Sequence, residues 1–175
     1  MLALNDNIII SITSLKEEIR RILEPRTATI KKRLETIEKL SAANIPVGVM
    51  MAPIIPAINS HEIMPLVKEI SERGALGVGY TIVRLNGAIG QIFSDWIRKA
   101  MPDRAEKVLH QIEHIHGGSL NDSRFGTRMR GEGEFADQVA QQFKIARKLY
   151  LKDREKPKLN CKLHADYKDG QMKLF

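Results

Sequence analysis

The sequence has 175 residues, of which 43% are hydrophobic and 28% charged, the balance of a single folded domain with or without a tail. Its one cysteine, Cys161, excludes an internal disulfide and any metal site built from several of its own thiolates. The length also falls short of the roughly 250 residues of a complete eight-stranded α/β barrel.

In chain order, Asn7–Thr13 is β-branched and apolar without alternation, which predicts a strand covered on both faces. Ser14-Leu15-Lys16-Glu17 follows with capping-box spacing and opens a short helix running to Leu23. After Pro25, Thr27 or Thr29 caps a second helix, whose Ile30, Leu34, Ile37 and Leu40 recur at helical spacing. Val47–Ala52 is a second apolar strand between Pro46 and Pro53. Asn59 or Ser60 then caps a helix carrying Ile63, Leu66, Val67 and Ile70 and stopped by Gly74. Pro65 requires that helix to start later than Ser60 or to have an irregular first turn. Leu76–Val83 is a third strand, with two glycines that allow close approach. Helices follow over Gln91–Lys99, from Pro102-Asp103 to before Gly117-Gly118, and around Phe135, Val139, Phe143 and Ala146.

Strand–helix–strand–helix–strand order implies parallel strands with right-handed crossovers. Three such strands form an incomplete sheet, so further strands must come from elsewhere in a longer chain or from another molecule. The division reads as an α/β unit over 1–116, an Arg/Gly loop and long helix over 117–151, and a basic tail over 152–175.

No apolar run reaches the length of a membrane span, and the first residues lack the basic and apolar regions of a signal peptide. With one cysteine, this reads as a cytoplasmic protein. The net charge is +7, and residues 141–175 hold ten Lys/Arg against four Asp/Glu, so +6 of it lies there. That end is either a solvated face or a contact for nucleic acid.

Ligands of α/β sheets bind beyond the carboxyl ends of the strands. Ser11, Thr13 and Ser14 fall there, as do the Pro53-Ile54-Ile55-Pro56 loop and Arg84. Hydroxyls suit a ribose or carboxylate, the stiff apolar loop suits a flat ring, and the arginine suits an anion. Each also has a plain structural reading, as cap, connection or surface ion pair. The loop Asp122–Gly133 holds Arg124, Arg128, Arg130, three glycines and Phe125. It reads either as a phosphate-binding loop with a stacking ring or as a structural loop tied to Glu132 or Asp122. His110 and His114 lie four apart, but the pattern lacks the adjacent glutamate of a metalloprotease, and a solvated face is the simpler reading. Cys161, near His164, reads as an incidental thiol.

Taken together, Ile10–Leu15, Leu23-Glu24-Pro25-Arg26, Pro46–Pro56 and Asp122–Gly131 resemble the C-terminal half of a radical S-adenosylmethionine protein of the spore-photoproduct-lyase-like, or "DNA repair photolyase", branch. The resemblance runs from about Asn7 to Phe175. It implies that the three strands are the last three of a partial (β/α)6 barrel, followed by C-terminal helices and a tail. It further implies S-adenosylmethionine lying across the strand ends and a [4Fe–4S] cluster held by a CxxxCxxC loop in the preceding half. Ser11 and Ser14 would face the ribose or methionine part, with Thr13 beside them among the cofactor-binding residues; the Pro53–Pro56 loop, with Ile54 and Ile55, would lie beside the adenine, and Arg84 would line the open mouth.

This sequence has no CxxxCxxC, so the chain alone is expected to hold no cluster and to generate no radical. The alternatives are a non-catalytic nucleic-acid-binding module using the Arg loop and tail, or an α/β domain that oligomerises through its open sheet edge. The last five residues, Gln171–Phe175, resemble the Gln-Leu-x-Leu-Phe peptide by which bacterial DNA-processing proteins dock on the sliding clamp, with a chance tail as the alternative.

Overall fold

A computed structural model describes residues 8–154. Cys161, His164 and the Gln171–Phe175 motif lie outside the described residues, as does most of the basic tail.

The chain runs β1 (Ile8–Ser11), α1 (Glu17–Leu23), α2 (Ile30–Ala42), β2 (Val47–Ile54), a 3-10 turn (Ser60–Glu62), α3 (Ile63–Glu72), β3 (Gly77–Ile82), α4 (Ala88–Ala100), α5 (Pro102–Ile115) and α6 (Glu134–Tyr150). The strands form one parallel sheet in the order β1-β2-β3. Ile8 pairs with Val47 and Ser11 with Met50; Gly48 pairs with Gly77 and Met51 with Tyr80. All pairings are parallel, as the strand–helix alternation implies, and the three described strands leave the sheet open.

Alternation along β2 and β3 sends Val47, Val49, Met51, Val78 and Ile82 to one face. There they pack under Leu34 and Ile37 of α2, Leu66 and Ile70 of α3, and Val139 and Phe143 of α6. The Tyr80 and Phe143 rings stack at 4.1 Å with a 3° angle between planes, which ties α6 to β3. A second cluster lies beyond the carboxyl ends of the strands, where Ile55, Val83 and Leu85 meet Ile97 of α4 and Val108 and Ile112 of α5.

The expectation that β1 is covered on both faces is not met among the described residues. Ile10 packs into the core, but Ile9 is 49% exposed and Ser11 is exposed. Among the described residues, α2 is the helix that packs against β1 most closely. The N–H groups of Ile8 and Ile12 donate to Pro46 and Met50, so the intervening Ile9 and Ser11 direct their backbone groups outward. Arg33 takes up the Ser11 carbonyl at 2.8 Å.

Local signals were met unevenly. Thr29, not Thr27, caps α2 by accepting from the Lys32 N–H at 3.3 Å. The Ser14–Glu17 capping box does not form: α1 starts at Glu17, and Glu17 instead bonds Arg20 and the Ile30 N–H at the start of α2. Neither Asn59 nor Ser60 caps α3 through its side chain, and α3 starts at Ile63. Pro65 therefore sits in its first turn, where a missing N–H leaves no gap. Gly74 ends α3 as predicted, at φ +90°, with the Ala75 N–H returning to the Ile70 carbonyl. The close approach at Gly79 is to Met50 of the neighbouring strand, whose Cε lies 2.9 Å from where a Cβ would stand.

Candidate functional site

A cavity of about 570 Å³ opens beyond the carboxyl ends of all three strands. This is within the size range of small-molecule pockets. Thr13 after β1, Pro53 and Ile55 around the end of β2, and Thr81 to Leu85 from β3 form its floor. Ile89, Ile92, Phe93 and Trp96 of α4 form one wall, at the i, i+3, i+4, i+7 spacing that puts them on one helix face. Leu23, Glu24 and Met129 complete the rim. The lining is mostly apolar, with Thr13, Glu24 and Arg84 supplying polar groups.

Glu24 is held by three donors. Thr13 and Arg33 bond its two carboxylate oxygens, and the Thr27 hydroxyl lies 3.2 Å from one of them. Burial pushes the carboxyl up, but the hydrogen bonds from Thr13 and Arg33 outweigh it and hold the group below its ordinary value. Glu24 is thus an ionised, fixed group at the cavity edge. Arg84 is half-buried and has no carboxylate within ion-pair distance among the described residues. Its charge is available to a ligand.

Two buried polar side chains set the shape of the floor. Asn59, fully buried, accepts from the Ile55 N–H at 2.7 Å and donates to the carbonyls of Thr13 and Pro53 at 2.9 Å each. It ties the end of β1 to the loop after β2, a loop in which Ala57 adopts φ +57°. Glu62, 3% exposed, accepts from the Ser14 hydroxyl at 2.9 Å and from the Leu15 N–H at 2.5 Å. These bonds fix the turn that leaves β1.

The structure therefore divides the residues expected at the strand ends. Thr13, Pro53, Ile55 and Arg84 line the cavity. Ser14 is committed to Glu62 and to the Lys16 N–H. Ser11 lies exposed at the sheet edge, and Ile54 is turned into the core with no exposure. Phe93 and Trp96 are cavity residues that the sequence did not single out; Glu24 was named only within the Leu23–Arg26 stretch that carries the resemblance, and Asn59 only as a cap. The apolar spacing of residues 89–96 was the available signal for α4.

The three loop arginines also part company. Arg124 bonds Asp122 through Nε at 3.0 Å and Nη2 at 3.1 Å and also pairs with Glu132, which matches the structural reading of the loop. These bonds, with that from the Arg124 N–H, hold the Asp122 carboxyl well below the usual carboxylate range. Arg128 lies over the Phe125 ring at 5.7 Å, and Phe125 is 93% exposed. Arg130 lines a separate groove with Lys144 and Arg147 of α6. Buried His116 anchors the loop to the third strand's end. Its Nε2–H donates to the Val83 carbonyl at 2.7 Å, and its Nδ1 faces Asp122 at 3.6 Å. The Met129 carbonyl accepts from the Ile82 N–H, so the loop runs along β3.

His110 and His114 are exposed, and among the described residues no cluster of three His, Cys, Asp or Glu is placed to hold a metal ion. No described helix is long and apolar enough to cross a membrane.

An open parallel sheet with an apolar cavity at its carboxyl edge places the chain among the α/β proteins, whose ligands characteristically bind at that edge. Within that class, residues 1–70 match the Radical SAM superfamily, a stretch that ends in α3. The chain is 31% identical over 88 residues to an uncharacterized protein of Mycobacterium tuberculosis, covering 49% of this chain and 26% of the relative. A Mycobacterium bovis protein, also uncharacterized, matches to the same extent. An uncharacterized protein of Acidianus two-tailed virus is 34% identical over 70 residues, covering 37% of this chain and 23% of its own length. The chain thus spans about a quarter of the length of these curated relatives. No solved structure matches it.

Proposed function

We propose that the chain is the C-terminal portion of a radical S-adenosylmethionine protein and that its cavity takes the nucleoside end of S-adenosylmethionine. The observation that carries this reading is the position of the cavity at the carboxyl ends of three parallel strands, in a chain whose first 70 residues match that superfamily. Trp96 and Phe93 offer flat apolar surface to a base, Thr13 a hydroxyl oxygen that can accept while its proton stays on Glu24, and Arg84 a cation for a carboxylate. Glu24 places a negative charge at the rim toward a sulfonium or ammonium group. When bound beside a reduced cluster, S-adenosylmethionine supplies a carbon radical to the substrate.

The residues present do not fit the cluster itself. Three thiolates are needed, and the sequence has one cysteine. We assign this chain cofactor binding and no radical step of its own. The cluster ligands would come from a polypeptide that adds strands on the outer edge of β1, where Ile9 and Ser11 face outward. The resemblance to the spore-photoproduct-lyase-like branch makes a nucleic-acid lesion the first substrate class to test in the assembled protein.

Trp96 is the sole tryptophan, so its fluorescence reports on the cavity directly. Titration with S-adenosylhomocysteine should quench it saturably, and Arg84→Ala should weaken binding about tenfold, the worth of one charge-assisted bond. Absence of any saturable change would reject the reading.

A further inference from the structure

A second groove of about 650 Å³, sharing no lining residue with the strand-end cavity, runs between β3 and α6. Small residues, Gly79, Gly131, Ala136 and Ala140, form much of its lining and leave room for a ligand close to the backbone. Three cations enter it: Arg130 from the loop, and Lys144 and Arg147 from α6. The one carboxylate in the lining is Asp137, and it forms no ion pair with any of the three. The net charge of the groove is therefore +2.

Arg147 is already set in place. Its Nε and Nη2 bond the Val78 carbonyl at 3.2 and 2.8 Å, and its guanidinium lies 5.5 Å over Phe143 and 5.9 Å over Tyr80. A guanidinium has five donors, so Nη1 and the second Nη2 proton are left for a ligand. A cation held by its own scaffold loses little entropy on binding an anion. Arg130 is positioned by the hydrogen bond from the Ile82 N–H to the preceding residue's carbonyl and by its own N–H to Thr127. Neither Arg130 nor Lys144 has a carboxylate partner among the described residues.

We propose that this groove binds a small multivalent anion of the phosphate class, such as a diphosphate group, at a site separate from the cavity at the strand ends. A monovalent carboxylate would leave two of the three cations unanswered, whereas a phosphate or diphosphate matches the charge and can accept from Arg147 and Arg130 at several oxygens.

The test uses the full chain and inorganic pyrophosphate, followed by calorimetry at low salt. One-to-one saturable binding is expected, weakened at least about tenfold in Arg130→Ala/Lys144→Ala, whose side chains are exposed and dispensable for packing. A charge-matched control, Lys99→Ala/Lys107→Ala, should bind within about twofold of the parent. No saturable binding, or equal affinity in the groove variant, overturns the proposal. A single-stranded oligonucleotide titrated in parallel supplies the remaining arm. If it binds through Arg130 and Lys144 while pyrophosphate does not, the groove is a polynucleotide surface and the small-anion assignment fails. S-adenosylhomocysteine quenching of Trp96 is measured on the same variants, so that failure at one site is distinguishable from failure at the other.

Discussion

The side-chain amide of Asn59 donates to the Thr13 carbonyl at 2.9 Å, joining the end of the first strand to the loop after the second across 46 residues of sequence. The same side chain accepts from Ile55 and donates to Pro53, so one fully buried group fixes both apolar loop residues and the hydroxyl-bearing residue of the cavity floor. A binding site on loops needs such a clamp, because loop backbone has few ladder bonds of its own.

Asn59→Ala should therefore lower both stability and ligand affinity. It leaves the Ile55 N–H and two carbonyls buried without partners, a cost of about 3 kcal/mol. For a domain of this size that is roughly 6–12 °C in Tm, read by thermal denaturation. An unchanged Tm would mean that water or a shifted loop replaces all three bonds.

Gly74 and Asn44 both end a helix with positive φ, +90° and +56°; Gly74 is crowded, whereas Asn44 is exposed. A Cβ at Gly74 would lie 2.0 Å from Ser41 Oγ and 2.6 Å from Ser41 Cβ. Gly74→Ala should cost at least about 2 kcal/mol by urea denaturation, combining the left-handed backbone with overpacking. Asn44→Gly should change stability by less than about 1 kcal/mol. Ser41→Gly should recover part of the Gly74→Ala loss; strict additivity of the two would contradict the contact.

Asp122 gives a pH dependence of known sign. Hydrogen bonds from the Arg124 side chain and backbone N–H hold its folded pKa below the unfolded value of about 3.9. The unfolded state then binds more protons in the window below that value. The stability from this group is present above about pH 4 and is lost as pH falls through the folded pKa. Tm measured from pH 6 to pH 2 should fall less steeply in Asp122→Asn than in the parent. Parallel profiles would remove Asp122 as a source of acid lability.

Reconstitution with iron and sulfide should leave the purified chain without stoichiometric cluster absorption, and Cys161→Ser should change nothing. A cluster per chain would require ligands that this sequence lacks.

The order of elements was legible because it depends on local periodicity. The β-branched run at 7–13, the apolar run at 47–52, the apolar spacing at 30, 34 and 37, and the Gly74 stop each operate within one or two turns of chain. The residues at the strand ends were legible in part for a topological reason, since parallel strands put their carboxyl ends on one edge. Within that edge the sequence could not say which side chains face the cavity. Ser14 and Thr13 are adjacent hydroxyls, yet Ser14 is committed to Glu62 and Thr13 to Glu24 at the rim. Both partners are remote in sequence, 48 and 11 residues away, so only the folded chain reveals the difference.

The loop arginines divide in the same way. Composition marked Arg124, Arg128 and Arg130 as equals. The tertiary structure gives Arg124 to Asp122 and Glu132, lays Arg128 over Phe125, and sets Arg130 beside Lys144 and Arg147. Sequence by itself determined the parallel α/β order, the helix stops and, through its single cysteine, that this chain cannot supply three thiolates. The tertiary structure decided which polar groups are spent on holding the fold and which are left for a ligand. Hydrogen-bond satisfaction of buried groups is a property of neighbours in space, and here those neighbours come from elements far apart in the chain.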